Sequence, residues 1–283
     1  MRELEFGGKF REPDIRRLYD MSDVIFDQEW LASAQNFELY YMYRDLYLAR
    51  ADRDKLLDQG LRYDITVIPP GMLGREYIKT AGHYHPLSSG NRVSYPEIYE
   101  VLEGEALYLL QKQDLSYVVA VNATPGDKVL VPPDYGHITI NRSNKTLKMA
   151  NFVARDFSSL YEPYRQKGGG AYFFTKDGFV KNSCYPEAAE LRRIDAPDNV
   201  LLRRLGMAKG REMYPLLREL GRLDYLVNPE LHLELFEGFI ASGGRSRNFF
   251  SVSRAFFERL AFGAEPRGRA GRFRRQRAEM RHP

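Results

Sequence analysis

Gly82-His83-Tyr84-His85 opens the stretch that decides the fold; Pro96-Glu97-Ile98-Tyr99 and Gly104 continue it; Gly126, Pro132, His137 and Asn141 close it. Three of the chain's five histidines lie inside, with Glu97 between them. His83 and His85 are two apart, so on a strand they face one side. Glu97 opens an apolar run, Glu97-Ile-Tyr-Glu-Val-Leu-Glu, that ends at a turn glycine, Gly104. In His137-Ile-Thr-Ile-Asn141, His137, Thr139 and Asn141 share a face, and Ile138 and Ile140 take the other. Imidazoles plus a carboxylate suit a divalent first-row metal better than calcium or magnesium. Three histidines and one carboxylate leave positions open on an octahedral ion for water or a substrate oxygen.

Alone, a His-x-His pair reads more often as surface or hydrogen-bonded histidines. The surrounding spacing changes that. Gly82-His-x-His, then Glu97 with Gly104 seven residues later, matches the first cupin motif. Gly126, Pro132, His137 and Asn141 match the second. The chain further resembles the cupin-type phosphoglucose isomerases. The residues that carry the resemblance are Arg62-Tyr-Asp-Ile-Thr-Val-Ile-Pro-Pro-Gly71, Glu76-Tyr-Ile-Lys-Thr-Ala-Gly-His-Tyr-His-Pro86, Pro96-Glu-Ile-Tyr-Glu-Val-Leu-Glu-Gly104, Leu109-Leu-Gln111 and Val131-Pro-Pro-Asp-Tyr-Gly-His-Ile-Thr-Ile-Asn141. It covers roughly residues 10–185.

The β pattern outside the motifs agrees. Asp64-Ile-Thr-Val-Ile68 is rich in branched residues and stops at Pro69-Pro70-Gly71. Strands are expected on either side of Gly104, over Leu115–Val121, Lys128–Val131, Ile138–Asn141 and Leu147–Val153. A hairpin is expected at Lys176-Asp177-Gly178. The chain thus reads as mostly β, a jelly-roll barrel of the cupin kind, with an N-terminal arm and a C-terminal α-helical extension. Met21 to Asp27 suggests a short strand in that arm. By analogy with cupins, the arm pairs with a sheet edge, its own or a second subunit's.

Residues 1–195 are read as the metal-binding isomerase domain, 196–263 as a helical extension and 264–283 as an Arg-rich disordered tail. Pro215 starts one helical spacing, Leu216-Leu217-Arg-Glu-Leu220. Asn228-Pro229-Glu230 has the look of a helix start, with Leu231, Leu235, Phe236 and Phe239 on one face. Ser251 or Ser253 caps a third helix ending at Gly263. His232 belongs to that packing or to the surface. Seven arginines against Glu265 and Glu279 give the tail +5, which leaves −1 for residues 1–263 of the chain's net +4. The body therefore has no basic bias, and nucleic acid is expected at most through the tail. One cysteine, Cys184, rules out an intramolecular disulfide and reads as an ordinary thiol. No signal peptide and no apolar run of membrane-spanning length is visible, so the expected location is the cytoplasm.

The resemblance implies interconversion of glucose 6-phosphate and fructose 6-phosphate, and the expected assembly is a homodimer. It implies one divalent transition metal on His83, His85, Glu97 and His137, with Fe(II) first and Mn(II), Ni(II) or Zn(II) as alternatives. Glu97 either carries the proton between C1 and C2 or serves as a ligand only. Tyr99 bonds to a sugar hydroxyl or is simply packed. Tyr161 matches a tyrosine near the family's substrate. Thr66, Thr80, Gly82 and Thr139 are the substrate-binding expectation, and Lys79 is a neighbour able to add charge; the alternative is that the threonines only satisfy strand ends. The chain departs from the family where Ser159 replaces a histidine, where Phe152 or Val153 replaces a tyrosine, and in a longer loop from Pro86 to Pro96. Two other readings stay open: an Fe(II) oxygenase on the same ligands, and a sugar-phosphate-binding cupin without turnover.

Overall fold

The structure is a computed structural model that describes residues 3–90 and 92–236. Ten strands build the two main sheets: β1 (Asp14–Arg17), β2 (Glu38–Tyr43), β3 (Leu61–Ile68), β4 (Glu97–Glu103), β5 (Ala106–Lys112), β6 (Val118–Ala123), β7 (Lys128–Val131), β8 (Tyr135–Asn141), β9 (Leu147–Ala154) and β10 (Leu191–Asp195). One sheet has the order β7-β4-β9-β3-β2-β1, the other β8-β5-β6-β10. Consecutive strands β4 and β5 part into different sheets at Gly104, whose φ of +77° lies in the left-handed region that favours glycine and whose Cβ side is closed by the Thr146–Leu147 backbone. Every pairing is antiparallel except β6 with β10. This is the double-sheet jelly-roll arrangement, mostly β as expected, with an N-terminal arm whose β1 lies along β2 of its own chain.

The core is lined from both sheets. Ile98, Val101, Leu109, Leu110, Val119, Ile138, Leu147 and Phe152 are all buried. β8 is buried at all seven positions, so alternation alone does not separate its faces. The strand after Ser116 starts later than expected, at Val118, because Leu115 takes a positive φ of 60° and turns the chain. The hairpin Tyr172–Thr175 with Gly178–Lys181 forms at the expected turn.

Three expectations fail locally. Met21 to Asp27 is not a strand: Leu18–Val24 is a 3₁₀ helix. Its buried residues are Leu18, Met21 and Val24, three apart, which is the repeat of that helix. The Asn228 start does not open an α-helix; it opens two 3₁₀ turns, Pro229–Leu231 and Leu233–Leu235, with no side-chain cap from Asn228. Leu231 is 72% exposed while Phe236 is buried, so the two do not share a face. Pro215 likewise opens a 3₁₀ helix, Tyr214–Arg218, and the α-helix of this region is Asn199–Arg204, capped by Asp198. Phe239, the third helix and the Arg-rich tail lie outside the described residues. Among the described residues, no helix is long and apolar enough to cross a membrane.

Candidate metal and substrate site

Four side chains converge on one point inside the barrel. One ligand atom each from His83, His85, Glu97 and His137 lies within 4.8 Å of the others. Glu97 sits at the start of β4 and His137 near the start of β8. His83 comes from an extended segment rather than a full strand. A single antiparallel bridge ties it to His137, with His137 N–H donating to His83 O at 3.1 Å. Glu97 Oε2 is 3.4 Å from Nε2 of both His85 and His137.

The ring nitrogens facing away are partly anchored. His85 Nδ1 lies 2.9 Å from Tyr95 O and His83 Nδ1 3.4 Å from Ala81 O, which turns the Nε2 atoms toward the centre. Burial lowers all three imidazoles, His83 to about 3, His85 to about 4, and His137 well below its ordinary value, with neighbouring histidines adding to the shift for His83 and His137. They are therefore neutral, the form that ligates metal. Burial pushes Glu97 the other way, up to about 8, with Arg62 opposing. A buried carboxyl among neutral imidazoles lacks a counter-charge, and a divalent cation would supply it. The donor set thus fits a transition metal.

The same cavity is lined by Thr66, Thr80, Tyr99, Ser159 and Tyr161. Tyr99 hydroxyl lies 3.0 Å from His137 Nε2, the nitrogen that would ligate. Tyr161 stacks obliquely on His83 at 5.2 Å, with the Arg16 guanidinium 5.5 Å from its ring. Thr80 Oγ1 accepts from Thr139 N–H at 2.9 Å. Thr139 Oγ1 is buried with no hydrogen-bond partner. The side of Gly82 where a Cβ would stand is closed by Tyr164, at 2.4 Å. Asn141, on the His137 face, serves the turn after β8: its side chain donates to Ile68 O and Lys145 O and accepts from Ser143.

Lys79 does not charge this site. Its ammonium is buried against Glu76 Oε2 at 2.6 Å and Val24 O at 2.8 Å, beneath Phe173. The cations that line the cavity are Arg44 and Arg62, with Asp64 between them. Sequence reasoning passed over them. The signal was present in Arg62-Tyr-Asp-Ile-Thr66, where alternate residues share the face of Thr66. Of the two positions weighed for the missing tyrosine, Val153 faces the cavity, whereas Phe152 packs on Tyr63 at 4.9 Å. The loop after His85 is pinned through Ser94 and Asp134, each accepting the other's backbone N–H. Cys184 is exposed and lines a different cleft, and His232 pairs with Asp224 at 2.7 Å.

Comparison with known proteins adds the family. The sequence model described as "Glucose-6-phosphate isomerase (GPI)" matches residues 15–188. The glucose-6-phosphate isomerase of Thermococcus litoralis is 28% identical over 167 residues, 59% of this chain and 82% of its own length. That of Pyrococcus furiosus is 26% identical over 170 residues, 59% of this chain and 83% of its own. Among solved structures, Bacillus subtilis oxalate decarboxylase overlaps 44% of this chain and 28% of its own, at 18% identity and a TM-score of 0.33, too partial to bear on chemistry. Since the matched span runs through His83, His85, Glu97 and His137 and both main sheets up to β9, the chain belongs to the glucose-6-phosphate isomerase family, in its cupin-type branch.

Proposed function

We propose that the chain is a metal-dependent aldose–ketose isomerase that interconverts glucose 6-phosphate and fructose 6-phosphate. The observation that carries the reading is the cluster itself: three neutral imidazoles and one carboxyl, buried, within 4.8 Å of one another. His83, His85, Glu97 and His137 would hold one divalent ion, Fe(II) by preference, with Mn(II), Ni(II) or Zn(II) able to take its place. When bound, the ion supplies Lewis acidity that favours loss of the hydrogen at C2 and stabilises the enediolate.

The chain's own residues do the rest. Glu97 takes the proton from C2 and returns it to C1. The C2–H electron pair becomes the C1–C2 double bond, and the carbonyl pair moves onto O1. On the way to ketose, the O2 proton passes to O1 and the carbonyl re-forms at C2. Tyr99 and Tyr161 contact the sugar beside the cluster. Thr66, Thr80, Gly82 and Thr139 are assigned to the phosphate end, and the partnerless Thr139 hydroxyl is a donor in reserve. Residues 1–195 make up the isomerase domain, two copies form a homodimer, and the enzyme works in the cytoplasm.

The test is an isomerase assay on full-length protein stripped of metal and reloaded with Fe(II), Mn(II), Ni(II) or Zn(II). Fructose 6-phosphate should yield glucose 6-phosphate only after reloading, with background rates in His83→Ala and His137→Ala. Folded, metal-loaded protein that turns over with none of the four ions rejects the assignment.

A further inference from the structure

Three side chains share one rung across the larger sheet. Glu97 of β4 is in register with Val153 of β9, and Val153 with Arg62 of β3. The next rung holds Tyr99, Asn151 and Asp64. All six line the cavity of the metal cluster. Two strand spacings, about 10 Å, separate the backbones of Glu97 and Arg62. The residue between them is the short Val153, and the Arg62 guanidinium lies beside Asp64 on its own strand. A tyrosine at that position would wall the two apart.

Arg62 is unusual among the cations near the cluster in what it leaves unbound. Its side chain is 19% exposed, and its Nε lies 2.9 Å from Asp64 Oδ2 without the alignment of a hydrogen bond. Among the described residues, its two Nη groups donate no hydrogen bond to protein. Arg44, by contrast, is turned to Asp14 through Nε at 2.9 Å. Lys79 is fully engaged elsewhere. A half-buried guanidinium with free donors facing a cavity is costly unless the cavity's occupant accepts them. Its charge is felt at the cluster, where it opposes protonation of Glu97, His83 and His85.

Isomerisation creates negative charge on the oxygens of C1 and C2, and a donor fixed beside them is worth most at that moment. By the family resemblance a histidine stands where Ser159 lines this cavity, so a short hydroxyl takes the place of a longer imidazole donor. We propose that Arg62 is a catalytic residue of this chain, its Nη groups donating hydrogen bonds to the O1 and O2 of the enediolate across the gap left by Val153. The proposal rests on the isomerase reading. It gives Arg62 a share in the transition state and not in holding the phosphate.

The experiment separates these. Metal-loaded full-length protein, Arg62→Met, Arg62→Gln and Arg62→Lys are compared for kcat, KM and the binding of two probes. One is the five-carbon sugar-acid 5-phosphate, whose carboxylate copies the two enediolate oxygens. The other is glucitol 6-phosphate, with the same phosphate and no charge at C1. Metal content and circular dichroism establish that each variant is folded and loaded, and Gln stands in if Met does not fold. Removing the guanidinium should lower kcat about 100-fold or more, with KM changed less than about threefold. It should weaken the sugar-acid probe by a similar factor and leave glucitol 6-phosphate nearly untouched; Lys should restore part of both. Equal weakening of the two probes makes Arg62 a phosphate holder and overturns the proposal, as does no change in either. Wild-type protein that binds the acid probe through Arg62 but never isomerises sinks the isomerase reading, while binding of neither probe sinks both.

Discussion

Glu97 is pulled in opposite directions by the fold and by its assigned ligand. Burial without a cation raises its pKa to about 8, above the ordinary 4.5. The metal-free fold therefore binds that proton more tightly than the unfolded chain does. This contribution to stability is complete below about pH 4.5 and is lost as pH rises through 8. His83 and His85 act in the reverse sense: their folded values of about 3 and about 4 lie under 6.5, so their contribution is present above pH 6.5 and lost as pH falls. Between pH 6.5 and 8 the Glu97 contribution is the one of the three that changes. Metal-free wild type should therefore lose stability against Glu97→Gln across that window, by up to about 1.4 kcal/mol per pH unit. Adding metal should flatten the difference, because the ion favours the carboxylate. Melting curves at half-unit pH steps check this, and parallel curves for the two metal-free proteins would refute it. The four clustered side chains were legible because their spacing is chemical: His-x-His, then a glutamate before a glycine. Arg62 was not, because an arginine on a strand reads as a solvated edge until the partner strand places a valine beside it.

Elements in this protein are set by who fits against whom as much as by local pattern. Strand positions were readable wherever branched residues met turn glycines, as at Lys128–Val131 and the Lys176-Asp177-Gly178 hairpin. The Leu18–Val24 segment was not, since Val-Ile-Phe looks like a strand and only its three-residue burial repeat reveals the 3₁₀ turn. The His83 segment depends on a close approach of another kind. A Cβ at Gly82 would stand 2.4 and 2.5 Å from ring carbons of Tyr164 and 2.8 Å from Ile138 Cγ1. Tyr164 belongs to the short helix Glu162–Gln166 and is fully buried, so it has no room to retreat. Gly82→Ala should destabilise the fold by roughly 1–3 kcal/mol through overpacking. Tyr164→Phe should fail to rescue it, because the ring and not the hydroxyl collides. Thermal unfolding of the single and double variants decides; a melting temperature for Gly82→Ala equal to wild type would show that the segment can shift.

At the scale of the whole described unit, residues beyond the family match are fastened to the barrel by a buried ion pair. Lys128 of β7 and Glu100 of β4 are side by side in the sheet, 2.8 Å apart, with side chains 1% and 3% exposed. Neither is paired with the other alone. Lys128 also donates to Gly126 O and Arg211 O, and Glu100 Oε2 accepts from Met213 N–H at 2.7 Å. One charge pair thus ties together the turn at Gly126, two barrel strands and the 211–213 backbone. Burying two charges is repaid only when their remaining donors and acceptors are satisfied, and here the later segment satisfies them. Lys128→Met leaves Glu100 buried without its cation and should cost about 3–5 kcal/mol. Lys128→Met with Glu100→Leu should cost less than the single change, since no charge is then stranded. Both variants remove the Lys128 contact to Arg211 O, and the double variant also removes the Glu100 contact to Met213 N–H, so both should open that segment to limited proteolysis while the double variant keeps its melting transition closer to wild type. Equal stability of the single and double variants would mean that the charges are solvated, and the segment held by its apolar residues Met213, Leu217 and Leu223 instead.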